Sequence, residues 1–371
     1  MLRSLFLFLF LCATVSMFAQ NSKLLQKGIN SFEQGRRGEA LELFNRHLVQ
    51  FPGSTAAYYN RAQVYFAMDS FHLALADLVY AKSDFGNQAG FWQLTGRVQM
   101  KLKHYQEAMG AFDKALELNF LDRDAYLNRG YCYFKLGFVD KAIADYDAAI
   151  KLDPSFPEAY YNRALAYRQL KIDSAALADL NRVILLSPPF LKARLERGNV
   201  LFEMGAYAMA EEDYNKYLEV YRDDALALNN RGLSRSRIND HIGAIDDFSV
   251  AIEIMPERGR FYFNRATERF FIKDMEAAIE DFTKAIELMQ NPTEAYYFRG
   301  KLYYESKVYD KAVDDLKAAN ELKPNDRRIT DLLFSARTVL FLSRYWLYLI
   351  VFVLLVVNGF RLYRRNRRYV R

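Results

Sequence analysis

The sequence predicts an all-helical chain: one two-helix unit used nine times, followed by a helix apolar enough to enter a membrane. Three observations predict this. A period of 34 residues runs without a gap through residues 21–326. Inside each period, small and apolar residues recur at i, i+3, i+4 and i+7, the spacing of one helical face. After the array, residues 345–360 form a 16-residue stretch without a charge.

The unit at residues 123–156 shows why each period is two helices. Tyr126, Arg129, Gly130 and Tyr133 share one face of a first helix, A. Gly137 follows, where a helix C-terminus favours a residue tolerant of positive φ. Ala142, Tyr146, Ala149 and Ile150 share a face of a second helix, B. Asp153-Pro154 ends it, because proline lacks an N–H and disfavours helix at the residue before it. Neither helix is long enough to be stable alone, so each must bury its stripe against its partner and the next unit.

The units begin at Asn21, Thr55, Ala89, Arg123, Pro157, Leu191, Ala225, Gly259 and Thr293. Position 8 is Gly or Ala in all nine, and position 20 is Ala in all nine, from Ala40 to Ala312. Position 24 is always large and apolar, from Phe44 to Leu316. In period and in this small/large pattern the chain resembles the tetratricopeptide-repeat family over residues 21–326. The resemblance implies an α-solenoid winding into a right-handed superhelix with a concave groove.

The flanks carry their own signals. Residues 1–19 have the form of a secretory signal peptide: Arg3, an apolar run over residues 5–11, and Ala19 at the cut. The alternative is an uncleaved N-terminal anchor. Residues 327–343 form an amphipathic helix, with Ile329, Leu332, Leu333, Ala336, Val339 and Leu340 on one face, suited to cap the last unit. Residues 344–361 are expected to be a transmembrane helix. Its uncharged core of 16 residues covers only about 24 Å of a roughly 30 Å hydrocarbon layer. Residues 339–343 close that gap if Arg344 reaches back to the surface. The competing reading is a buried capping helix. Residues 362–371 are a basic tail, which the positive-inside rule keeps in the cytoplasm and so places the repeats on the exported side.

Charge and composition narrow the function. The net charge of +6 is carried by the flanks: without Arg3, Arg344 and the six arginines of residues 361–371, the remainder is −2. A body so nearly neutral does not offer the broad basic face that nucleic acid requires. The four histidines, His47, His72, His104 and His241, fall in different units at different positions. Neither a metal-binding motif nor a catalytic set is present, so no cofactor, no metal and no enzymatic activity are expected.

One charge pattern is structural. Arg occupies position 7 in seven units (Arg61, Arg129, Arg163, Arg197, Arg231, Arg265, Arg299), and Asp occupies position 23 in the same seven (Asp77, Asp145, Asp179, Asp213, Asp247, Asp281, Asp315). Units one and three lack both. Each Arg is expected to pair with an Asp, within its unit or across to the next. Arg235 and Arg269 at position 11 break the pattern; extra ion pairs with nearby acids such as Asp246 or Glu280, or simple drift, are the expected account, and a functional or strained site is the alternative.

The binding surface implied by the resemblance is the concave side of the A helices, at positions 2, 5, 6, 9, 12 and 13. Candidates in units four and five are Tyr131, Phe134, Tyr161, Asn162 and Arg168. In units eight and nine they are Phe263, Asn264, Phe270, Phe271, Tyr297 and Tyr304. One subset of the family grips a peptide carboxylate with Lys, Asn and Arg at fixed positions. Asn199, Asn230 and Arg260 match that pattern, while Leu195 and Asn264 depart from it. The expected function is a non-enzymatic, membrane-anchored scaffold that binds a protein or peptide. Glycan or lipid binding, or service as a non-catalytic subunit of an enzyme complex, are the alternatives.

Overall fold

A computed structural model describes residues 23–368, with side chains through Arg364. The expected signal segment, Cys12 and the last three residues lie outside the described residues. Among the described residues are nineteen helices and no strand. Helix α1 covers residues 23–33. It is followed by α2 (Arg37–Gln50), α3 (Thr55–Ala67), α4 (Phe71–Phe85), α5 (Ala89–Lys101), α6 (Tyr105–Leu118), α7 (Arg123–Lys135), α8 (Val139–Leu152), α9 (Pro157–Gln169) and α10 (Asp173–Leu186). Then come α11 (Leu191–Glu203), α12 (Tyr207–Leu218), α13 (Ala225–Arg237), α14 (His241–Ile254), α15 (Gly259–Phe271), α16 (Met275–Leu288), α17 (Thr293–Glu305), α18 (Tyr309–Leu322) and α19 (Arg327–Arg368). Odd-numbered helices up to α17 are A helices and even-numbered ones are B helices. The chain divides into two compact bodies between Ala193 and Arg194, inside α11.

Every A–B turn is made the same way. Position 15 is left-handed in all nine units, at Gly35, Asp69, Lys103, Gly137, Lys171, Gly205, Asn239, Lys273 and Lys307, with φ from 56° to 84°. In unit four the Gly137 N–H donates to the Phe134 carbonyl at 3.1 Å and the Phe138 N–H to the Tyr133 carbonyl at 2.9 Å. This is the paired closure that satisfies the last carbonyls of a helix. Four of the nine positions are lysine, so the regular turn holds despite a Cβ cost of roughly 1 kcal/mol at each.

The core repeats with the same regularity. All nine alanines at position 20 are fully buried, and the nine residues at position 24 are at most 2% exposed. Position 8 is small because position 24 lies directly on it: a Cβ added to Gly130 would sit 2.8 Å from the Tyr146 ring. Helices enter through local caps where the sequence supplies them. Asp122 accepts from the Ala125 N–H at 3.0 Å, and Asp224 accepts from the Leu226 and Ala227 N–H groups at 3.1 Å.

The second body ends in a single 42-residue helix, α19. The expected capping segment and the expected apolar span are parts of that one helix, which continues into the basic tail. Its first turns act as another A helix: Ile329, Leu333 and Ala336 are buried, and Leu333 and Ala336 pack with Ala312 and Leu316 of α18. From Phe341 to Tyr363 its apolar side chains are exposed. This helix is long and apolar enough to cross a membrane. Arg344 does not lie free along it but ion-pairs with Asp310 in the first turn of α18.

Candidate binding surface

The position-7 arginines are the most regular polar feature, and all seven pair within their own unit. In each, Nε and Nη2 donate to the two carboxylate oxygens of the position-23 Asp at 2.6–2.9 Å. This is the two-pronged geometry that suits a planar guanidinium. The seven aspartates are at most 6% exposed. Burial pushes the Asp145 and Asp247 carboxyls above their usual range, and the guanidinium hydrogen bonds oppose that shift. Hydrogen bonds to Asp145 and Asp179 hold Arg129 and Arg163 above their ordinary value.

A second partner of these arginines escaped the sequence reading. In the first body the third nitrogen, Nη1, of Arg61 donates to Asn45, that of Arg129 to Asp113 and that of Arg163 to Asp147. In the second body the same nitrogen of Arg231, Arg265 and Arg299 donates to Asn215, Ser249 and Thr283. Each acceptor is position 25 of the preceding unit, so each of these arginines clamps two neighbouring units. In units two, four, five and nine the guanidinium also lies between rings at positions 4 and 11, as Arg129 does at 5.5 Å from Tyr126 and 5.9 Å from Tyr133.

Arg235 and Arg269 at position 11 take different partners from those expected. Arg235 pairs with Glu211 at 2.9 Å and Asp247 at 3.1 Å. Arg269 pairs with Asp281 at 2.8 Å. The reason is angular: position 11 is one helical turn beyond position 7 and faces the same aspartate, whereas Asp246 and Glu280 are rotated about 100° away on the B helix. Units six to eight thus place two arginines on each buried aspartate, with Arg194 beside Arg197 on Asp213 at 3.4 Å.

The carboxylate-clamp candidates are engaged internally. In the second body Tyr214 Oη donates to Asn199 at 2.8 Å, and the Asn230 amide donates to the same oxygen at 3.1 Å. Asn229 donates to Asn230 at 3.3 Å, and Asn264 donates to Asn229 at 2.8 Å. Asn264 is buried, so it is a rung of a ladder tying units six to eight together. Asn229, the buried link, was not singled out from sequence. Adjacent asparagines at positions 5 and 6 are the signal that marks it.

The aromatic candidates are half-buried except Phe271, which is exposed, and several carry a cation over the ring. In the first body Lys135 lies 5.2 Å from the Tyr131 ring and 5.9 Å from Phe134. Tyr161 packs on Phe190 at 4.9 Å, and Asn162 and Arg168 are half-buried near it in sequence. In the second body Phe263, Phe270 and Tyr297 surround Phe298 at 6.0, 6.3 and 5.3 Å. Phe298, missed at the sequence level, replaces the asparagine common at position 6. Arg260, Lys301 and Arg328 lie over Phe263, Phe270 and Tyr297 at 5.3, 5.1 and 5.2 Å. Tyr304 packs on Tyr309 at 5.7 Å, and Phe271 stacks on His241 at 5.5 Å. His241 also contacts the buried Glu268 at 2.7 Å.

Family models described as TPR repeat and tetratricopeptide repeat match residues 133–171, and residues 157–190, 191–224, 259–291 and 293–326, respectively. Residues 33–115 match a model described as anaphase-promoting complex, cyclosome, subunit 3. No curated protein matches the chain. Among solved structures, YrrB, described as a TPR protein with an unusual peptide-binding site, is 22% identical over 52% of this chain and 98% of its own, with a TM-score of 0.49. A tetratricopeptide repeat protein from Parabacteroides merdae is 22% identical over 67% of this chain and 98% of its own, at 0.48. Pseudomonas aeruginosa PilF is 16% identical over 58% of this chain and 97% of its own, at 0.49. Helix pairs in tandem, with a small residue at position 8 set against a large one at 24 and matched by repeat models along both bodies, make this chain a member of the tetratricopeptide-repeat family.

Proposed function

We propose that the chain is a membrane-anchored scaffold that recruits a protein or peptide partner to the exposed faces of its A helices. One observation carries the reading: half-buried rings on those helices are overlaid by cations, as at Tyr131 with Lys135 and Tyr297 with Arg328. Aromatic anchors beside positive charge are the composition of interface hot spots. A partner with acidic residues flanking an apolar one suits such a surface. The apolar part of α19 is the anchor, the repeats lie on the exported side, and the arginine-rich end stays in the cytoplasm.

A photo-crosslinking residue in place of Tyr131 or Tyr297 in intact cells tests the binding reading. It should capture a discrete partner that the same residue at Lys317, exposed on the B helix α18, does not capture. Equal capture from all three positions would reject the surface. Protease added outside the cytoplasmic membrane should digest the repeats; protection until that membrane is opened would reverse the orientation.

A further inference from the structure

We infer that the edge of the last repeat formed by the α17–α18 turn docks on a surface of anionic lipid headgroups, so that the array stands directly on the bilayer; this rests on the anchoring role proposed for α19. The geometry leaves no spacer between repeat and membrane. Helix α19 packs along α18 through Leu333 and Ala336, and then Arg344 ion-pairs with Asp310 in the first turn of α18. That pair sets the start of the uncharged segment level with the α17–α18 turn. Tyr345 and Trp346, side chains suited to a headgroup layer, come next on the helix.

At the same level the turn is built for such a layer. Lys307 occupies the left-handed position, Val308 beside it is 41% exposed, and Lys311 is exposed in the first turn of α18, its ammonium 5.3 Å from the Tyr303 ring. Asp310, the one carboxylate among residues 306–311, is neutralised by Arg344. The preceding turn presents Phe271, 59% exposed, with Ile272 and Lys273. Lysines beside exposed apolar tips are the pairing that holds a peripheral surface to anionic lipid, with the ammonium groups at phosphates and the tips among the upper acyl chains. Because Arg344 is retained at the repeat, the span runs from Tyr345 toward Tyr363. Arg361 then lies one turn from its far end, where a long cationic side chain reaches water.

The test uses the full chain with Cys12→Ser and Val308→Cys, an environment-sensitive fluorophore on residue 308, and vesicles carrying brominated lipid. In phosphatidylcholine vesicles containing phosphatidylglycerol, emission should shift blue and be quenched. The effect should be lost in phosphatidylcholine alone, after Lys307→Glu with Lys311→Glu, and at high salt. A probe at Lys317 should stay aqueous throughout. If the chain floats with the vesicles but the residue-308 probe stays aqueous, the anchor stands and the docking is wrong. Quenching that is equal with and without anionic lipid also overturns it. A chain that fails to float removes the anchoring role and the docking with it.

Discussion

Tyr146 and Tyr214 occupy the same repeat position and are equally buried, yet their hydroxyls meet different neighbours. Tyr214 donates to Asn199, whereas no described group bonds the Tyr146 hydroxyl. The residue at position 9 decides this: Asn199 in unit six, Tyr131 in unit four. A buried hydroxyl without a partner costs about 1–3 kcal/mol, and a formed bond contributes about 1. Tyr146→Phe should therefore raise stability by about 1 kcal/mol, and Tyr214→Phe should lower it by a similar amount; urea denaturation of the two variants checks the opposite signs. Cys132 is a second residue set by burial. It is fully buried, and desolvation pushes its thiol up to about 12. In the Cys12→Ser chain, thiol reagents should react with Cys132 only once denaturant has opened the fold. Rapid labelling of the native protein would contradict that environment.

At the scale of the element, the arginine clamp joins three helices. Arg129 on α7 holds Asp145 on α8 and Asp113 on α6. Arg129→Ala leaves the Asp145 carboxylate buried without its cation, at a cost of about 3–5 kcal/mol. Replacing Arg129 and Asp145 together by leucine should cost much less, because no charge is then stranded. The deficit of the single variant should depend on pH. Burial raises the folded-state pKa of the stranded carboxyl above its unfolded value, so the folded form binds the proton more tightly. Stability of the variant should fall as pH rises through that pKa, and the gap to the parent should close as pH is lowered. A gap independent of pH would mean that the loss is one of packing alone.

At the scale of the molecule, α19 has two distinct parts in the second body. Its first turns cover the apolar face of unit nine, and the rest is exposed. A chain ending at Asp326 loses the burial of Ile329 and Leu333, about 2–3 kcal/mol each, and uncovers Leu316 and Ala312. It should melt earlier and self-associate. A chain ending at Leu340 keeps that contact and should remain monomeric without detergent. Sedimentation of the two separates capping from membrane insertion, and equal behaviour would deny α19 its capping contact.

Much of the architecture was legible in the residues, and the reason differs by feature. The helices and the small/large pattern of positions 8, 20 and 24 repeat at fixed offsets, so nine copies of a local rule expose them; the left-handed turn was legible only at Gly137, because four of its nine positions are lysine. The arginine pairing was legible as a correlation, but its direction was not, because within-unit and between-unit partners give the same counts. Its second acceptor was also written in the chain. Val79 replaces an acceptor at position 25 just ahead of Thr95, which replaces the arginine.

The candidate surface was legible as a set of positions and not as a set of free groups. Asn199, Asn230 and Asn264 share a face by helical spacing, and only packing engages them in a ladder with Asn229. Likewise an uncharged run of 16 residues marks the apolar helix, while the burial of Leu333 and Ala336 against α18 and the contact of Arg344 with Asp310 mark where that helix leaves the repeat. By itself the sequence determined the repeat, its helices and its apolar end, because those depend on spacing along one chain. The tertiary structure alone decided which polar groups are already satisfied, because that depends on where side chains from different helices meet.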